Sequence, residues 1–146
     1  MSFWDSSAVV PLLLRQPATH RVQEILRARG VPVVWWGALI ECHSVVERLR
    51  RDAELSLEHR QQALAVLAEL AASWQEVQPT PAVRERAVRL LSVHPLRAAD
   101  AVQLAAALVW AGEKPAGCIL VCLDSRLREC AQREGFTVLP RRSLGN

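Results

Sequence analysis

Four acids in this 146-residue sequence stand where chemistry is a better explanation than solvation. They are Asp5 in SFWDSSAVV, Glu41 in ALIECHSVVERL, Asp100 in LRAADAVQLAAAL and Asp124 in CILVCLDSRL. Asp5 and Asp124 each follow an apolar strand-like run and precede a serine that opens a helix-like stretch. Either could therefore be a helix N-cap, a ligand, or both, because a cap can also face a crevice. Asp100 is embedded among small and apolar residues, where an unpaired carboxylate would be costly and its pKa would rise. It calls for a cation, supplied either by Arg97 on the same helical face or by a metal ion. Glu41 falls in the first turns of a helix that follows a strand. Four carboxylates on one edge of a sheet would repel unless a cation neutralised them. Oxygen ligands without histidine or thiolate suit Mg²⁺ or Mn²⁺, the ions of metal-assisted phosphodiester hydrolysis.

The elements that must position these acids follow from periodicity and punctuation. SFWD, PVVWW, QEVQPT, GCILVCLD and FTVLP read as strands. SSAVVPLLL reads as a short helix with Pro11 near its first turn, where proline is tolerated. ATHRVQEILRARG is a helix with Gly30 just past its end. ALIECHSVVERLRRD has apolar positions at helical spacing, and SLEHRQQALAVLAELAASW is a longer helix with Ser56 as its cap. AVRERAVRLLSV ends at His94 and Pro95, AADAVQLAAALVWAG closes on Gly112, and SRLRECAQREG closes on Gly135. Strands alternating with helices predict an α/β three-layer sandwich, with a mostly parallel central sheet flanked by helices. Apolar strands such as CILVCL agree, since such strands are covered on both faces. In open α/β sheets ligands bind beyond the carboxyl ends of the strands, which is where Asp5 and Asp124 fall.

Composition narrows the class. The length suits one domain over 1–146, and 51% apolar residues argue for a packed core. No apolar run is long enough to span a bilayer and the N-terminus lacks the pattern of a signal peptide, so a cytoplasmic, membrane-free protein is expected. Cys42, Cys118, Cys122 and Cys130 form no C-x-x-C pair, and zinc-site spacing with His43 or His59 is missing. Cys118 and Cys122 are expected in a buried strand as reduced thiols. The net charge of +3 is too small to identify a nucleic-acid binder. Ser7, two residues after Asp5, stands where a dehalogenase-type phosphatase needs a second aspartate. A receiver domain would need an acidic pair, and no G-x-x-x-x-G-K phosphate loop is present.

Taken together, WDSSAVVPLL, ALIECHSVVERL, LRAADAVQLAAAL and LVCLDSRLRECAQREGF resemble the PIN-domain ribonucleases, in particular the VapC-like toxins of bacterial toxin–antitoxin pairs. The resemblance spans nearly the whole chain, and LRAADAVQLAAAL is its most specific segment. It implies that Asp5, Glu41, Asp100 and Asp124 form a site for Mg²⁺ or Mn²⁺, and that Ser7 supports the first aspartate. It further implies an endoribonuclease acting on structured RNA such as tRNA or rRNA, a small antitoxin partner, and a homodimer. Arg97 and Arg126 are candidates for phosphate contact. Trp35 and Trp36 could stack bases, although at least one is expected in the core. The sequence departs from the family at Cys122, where a hydroxyl residue commonly stands two positions before the last aspartate. That departure weakens an expected contact near Asp124. A PIN-like domain that no longer cuts and only binds RNA or protein is the alternative.

Overall fold

The computed structural model describes residues 1–141. Five strands form one sheet: β1 (Ser2–Trp4), β2 (Pro32–Trp35), β3 (Gln75–Val77), β4 (Ile119–Val121) and β5 (Thr137–Leu139). Their order across the sheet is β3-β2-β1-β4-β5, and every neighbouring pair is parallel. The helices are α1 (Ser6–Leu13), α2 (Thr19–Arg29), α3 (Ala38–Arg51), α4 (Leu57–Ser73), α5 (Pro81–Val93), α6 (Ala98–Trp110) and α7 (Ser125–Glu134). The expected α/β three-layer sandwich is thus the observed one.

The apolar strands are explained by the pleat, which sends successive side chains to opposite faces. Phe3, Val33, Leu120 and Val138 enter a core roofed by α5, α6 and α7. Their neighbours Trp4, Val34 and Val121 enter a second core against α1, α2, α3 and α4. Both faces are covered, so alternation of polar and apolar residues would have been costly. The alanine run of α6 is buried, which lets that helix lie close to the sheet beside α5.

Local chemistry sets the helix ends. Ser56 Oγ accepts from the His59 N–H at 3.1 Å, as a cap should. Thr80 caps α5, with Pro81 in the first turn. Gly135 closes α7 in the left-handed region at φ 108°, which a side chain would disfavour. Pro11 differs from expectation. The helix starts at Ser6 as expected, but Pro11 is the sixth of its 8 residues and so lies in the second turn. The helix ends at Leu13, just past the missing N–H, and the Pro11 carbonyl accepts from Thr19 Oγ1 at 2.7 Å. The proline thus helps stop α1 and turn the chain into α2.

The strand order reverses at β1. The chain moves outward on one side through β2 and β3, then returns through α5 and α6 to place β4 on the other side. A crevice beyond the carboxyl ends of β1 and β4 follows from that reversal.

Candidate active site

Asp5 and Asp124 stand at this crevice, each just past a central strand. Asp5 continues β1, its N–H donating to the Val121 carbonyl of β4 at 3.0 Å. Its carboxylate also caps α1, accepting from the Ser7 N–H at 3.1 Å. Asp124 caps α7, accepting from the Leu127 N–H at 2.8 Å. The cap and ligand readings therefore coexist. Asp5 is only 4% exposed, whereas Asp124 is open to solvent.

Asp100 and Glu41 approach from the flanking helices. Asp100 lies in the first turn of α6 and is half-buried. Among the described residues no basic group lies within 4 Å of it, so the Arg97 salt bridge is not formed. Glu41, in the first turn of α3, is half-buried and held at both oxygens. Ser6 Oγ donates to Oε2 at 3.0 Å, and Gln103 Nε2 donates to Oε1 at 2.9 Å. Ser6 adjoins Asp5 in the chain and Gln103 lies one turn beyond Asp100, so Glu41 is tied to the elements of both aspartates.

The electrostatics tie the four acids together. Burial raises the Asp5 carboxyl above its ordinary range, with hydrogen bonding to Ser7 opposing and Asp100 adding to the rise. Burial also raises Glu41, against the Ser6 and Gln103 hydrogen bonds, and the charges of Asp5 and Asp100 add to it. Asp100 is raised by burial and then by Asp124, while Arg126 and Arg97 pull it back. None of the four carboxylates has a basic partner within 4 Å among the described residues. Yet no three His, Cys, Asp or Glu side chains among those residues are close enough together to hold one ion. The donor set, all carboxylate oxygens under mutual repulsion, fits a hard divalent cation chemically.

Ser7 and Cys122 join the central strands beneath the acids. Ser7 Oγ accepts from the Leu123 N–H at 3.0 Å and lies 3.7 Å from Cys122 Sγ. Cys122 Sγ is 3.6 Å from Asp5 Oδ2 and 3.6 Å from the Asp124 carbonyl oxygen. The thiol expected to matter near Asp124 thus also touches the Asp5 carboxylate. Burial pushes the Cys122 thiol well above its ordinary pKa, so it stays protonated as a weak donor. Cys122 is buried just past β4, while Cys118, just before it, is only half-buried.

A PIN-domain family model matches residues 3–133. The chain belongs to the PIN-domain family. No curated protein matches the sequence. Among solved structures, the crystal structure of FitAcB from Neisseria gonorrhoeae is similar at a TM-score of 0.65. The likeness covers 97% of this chain and 98% of that one, at 16% identity, and shows a shared fold.

Around the acids of this PIN domain, Arg97 and Arg126 are exposed. Trp35 is half-buried against the core and Trp36 is 44% exposed, so neither is fully interior. Their rings meet edge-on with centroids 6.4 Å apart. Gly37 is confined here, because a Cβ would collide with the Trp35 indole. Sequence reasoning missed Ser6 and Gln103. Gln103 could have been found, since it is the one amide in an otherwise apolar helix, a turn beyond Asp100. Ser6 carried no such signal, being one of two adjacent serines. No described helix is long and apolar enough to cross a membrane.

Proposed function

We propose that this PIN domain is a metal-dependent endoribonuclease, the toxin member of a toxin–antitoxin pair. One observation carries the reading: four carboxylates with no basic partner within 4 Å among the described residues, three of them raised by burial, lie about the switch point of the sheet. Asp5, Asp100 and Asp124, with Glu41, would hold Mg²⁺ or Mn²⁺. Such an ion, when bound, polarises a phosphoryl oxygen and lowers the pKa of water. Glu41 is the acid best placed to receive a proton from the attacking water, since its raised pKa suits a general base and two hydrogen bonds fix its orientation. In-line attack on phosphorus would then expel the 3′-oxygen, which takes up a proton from water. Arg97 and Arg126, whose charges lower the Asp100 carboxyl, would contact the phosphate. Trp36 at the rim offers a face for a base. Resemblance to the VapC-like toxins supports structured RNA such as tRNA or rRNA as substrate, a small antitoxin as inhibitor, a homodimeric assembly and a cytoplasmic location.

A second reading, a PIN domain that binds RNA or protein without cutting, is favoured because no three His, Cys, Asp or Glu side chains among the described residues gather closely enough to hold an ion. Asp100→Asn separates the two. The wild type is expected to cleave a tRNA and rRNA pool in Mg²⁺ or Mn²⁺. The variant should lose more than the ~10–100-fold that removal of an outer-shell partner costs. Gel-resolved cleavage products check this. No cleavage by the wild type in either metal, or equal cleavage by the variant, sinks the nuclease reading.

A further inference from the structure

Gln103 is 1% exposed, in a helix whose other buried positions are alanine and leucine. Its Nε2 donates to Glu41 Oε1 at 2.9 Å, but its Oε1 is buried without any hydrogen-bond partner among the described residues. Turning the amide over would not repair this, because it would set Oε1 against a carboxylate oxygen, acceptor against acceptor. The orphaned carbonyl is thus fixed by the bond at the other end of the same amide. A buried acceptor left unmet is costly, so natural sites supply a donor. The ionised carboxylates of the site are acceptors and do not supply one. The chemical class that remains is the O–H of water. Divalent magnesium keeps several of its waters when bound by carboxylates, and such waters are strong donors.

We propose that Gln103 is a positioning residue of the site, resting on the metal-nuclease reading above. The N–H end of its amide fixes Glu41, and the C=O end accepts from a water in the shell of the bound cation. A neutral amide does both without adding a fifth negative charge to the four acids. Glutamate at this position would add that charge, and an apolar residue would leave Glu41 with Ser6 alone. Gln103 would act through Glu41 and the water, not on the substrate.

The test is Mn²⁺ binding to the full-length protein by titration calorimetry, alongside the melting temperature of the metal-free protein. Gln103→Met keeps the shape and removes both polar ends, and Gln103→Leu serves as a second variant if methionine packs badly. The expected result is a ~10-fold loss of Mn²⁺ affinity with a metal-free melting temperature unchanged or raised, since the orphaned oxygen is gone. Unchanged affinity in a wild type that binds Mn²⁺ and cleaves RNA overturns the Gln103 role and leaves the nuclease reading standing. A loss of affinity accompanied by a fall in metal-free melting temperature assigns Gln103 to the fold and also overturns the role. Failure of the wild type itself to bind Mn²⁺ overturns both.

Discussion

Asp124 does two jobs that a pair of substitutions can separate. As the cap of α7 its carboxylate meets the Leu127 N–H, and as a member of the acid set it adds charge beside Asp100. Asparagine caps about as well as aspartate, whereas alanine loses about 1 kcal/mol of cap energy. Asp124→Asn should therefore melt close to the wild type and Asp124→Ala several degrees lower, while both lose RNA cleavage. Equal melting temperatures for the two variants would show that the cap contributes nothing. This dual use explains how much of the site was legible. Asp5 and Asp124 stood out because a strand–Asp–Ser pattern occurs twice, and Asp100 because it interrupts an apolar helix. The clamp on Glu41 was not legible, because it joins Ser6 of α1 and Gln103 of α6 across the fold. No local pattern specifies that meeting.

At the scale of elements, the segment carrying Asp124 is held from below by Arg128. This arginine, buried in α7, donates from Nη1 to the Cys122 carbonyl and from Nη2 to the Pro140 carbonyl, both at 2.6 Å. One planar guanidinium thereby ties the end of β4 to the residue after β5, a geometry the lysine side chain does not reproduce. Arg128→Met should cost about 2 kcal/mol, through two charge-assisted bonds lost and carbonyls left unmet. Thermal or urea unfolding checks this, and Arg128→Lys should recover only part of the loss. Sequence reading missed Arg128, since one arginine in an arginine-rich helix looks solvated. It did recover the elements, because buried parallel strands and capped helices carry strong local signals. It set Pro11 one turn too early in α1, although it began that helix at Ser6 and offered Asp5 as its cap. The mutual placement of β1 and β4 depends on contacts between distant segments and lies beyond local pattern.

For the molecule as a whole, the raised acids make stability depend on pH, and on the metal reading it should depend on cations too. Asp5, Glu41 and Asp100 have folded pKa values above their ordinary ones, so the folded protein binds more protons than the unfolded chain in the window between those values. Stability contributed at low pH is therefore lost as pH rises through that window. Asp100→Asn removes one of these groups. The metal-free variant should match the wild type near pH 4 and melt above it near pH 7. Mn²⁺ should reverse the wild-type deficit near pH 7, by about 2.7 kcal/mol at 100-fold over Kd, and do little near pH 4. Melting curves at the two pH values, with and without Mn²⁺, check both expectations. The strand order has one more consequence. β1 and β4 are separated along the chain by six helices and two strands, yet they lie side by side at the centre of the sheet. During synthesis Asp5 is therefore made well before Asp124, and the two meet only after six intervening helices have been added. A chain stopped short of β4 thus cannot bring the four acids together, and on the nuclease reading it would not threaten the RNA of the ribosome that makes it.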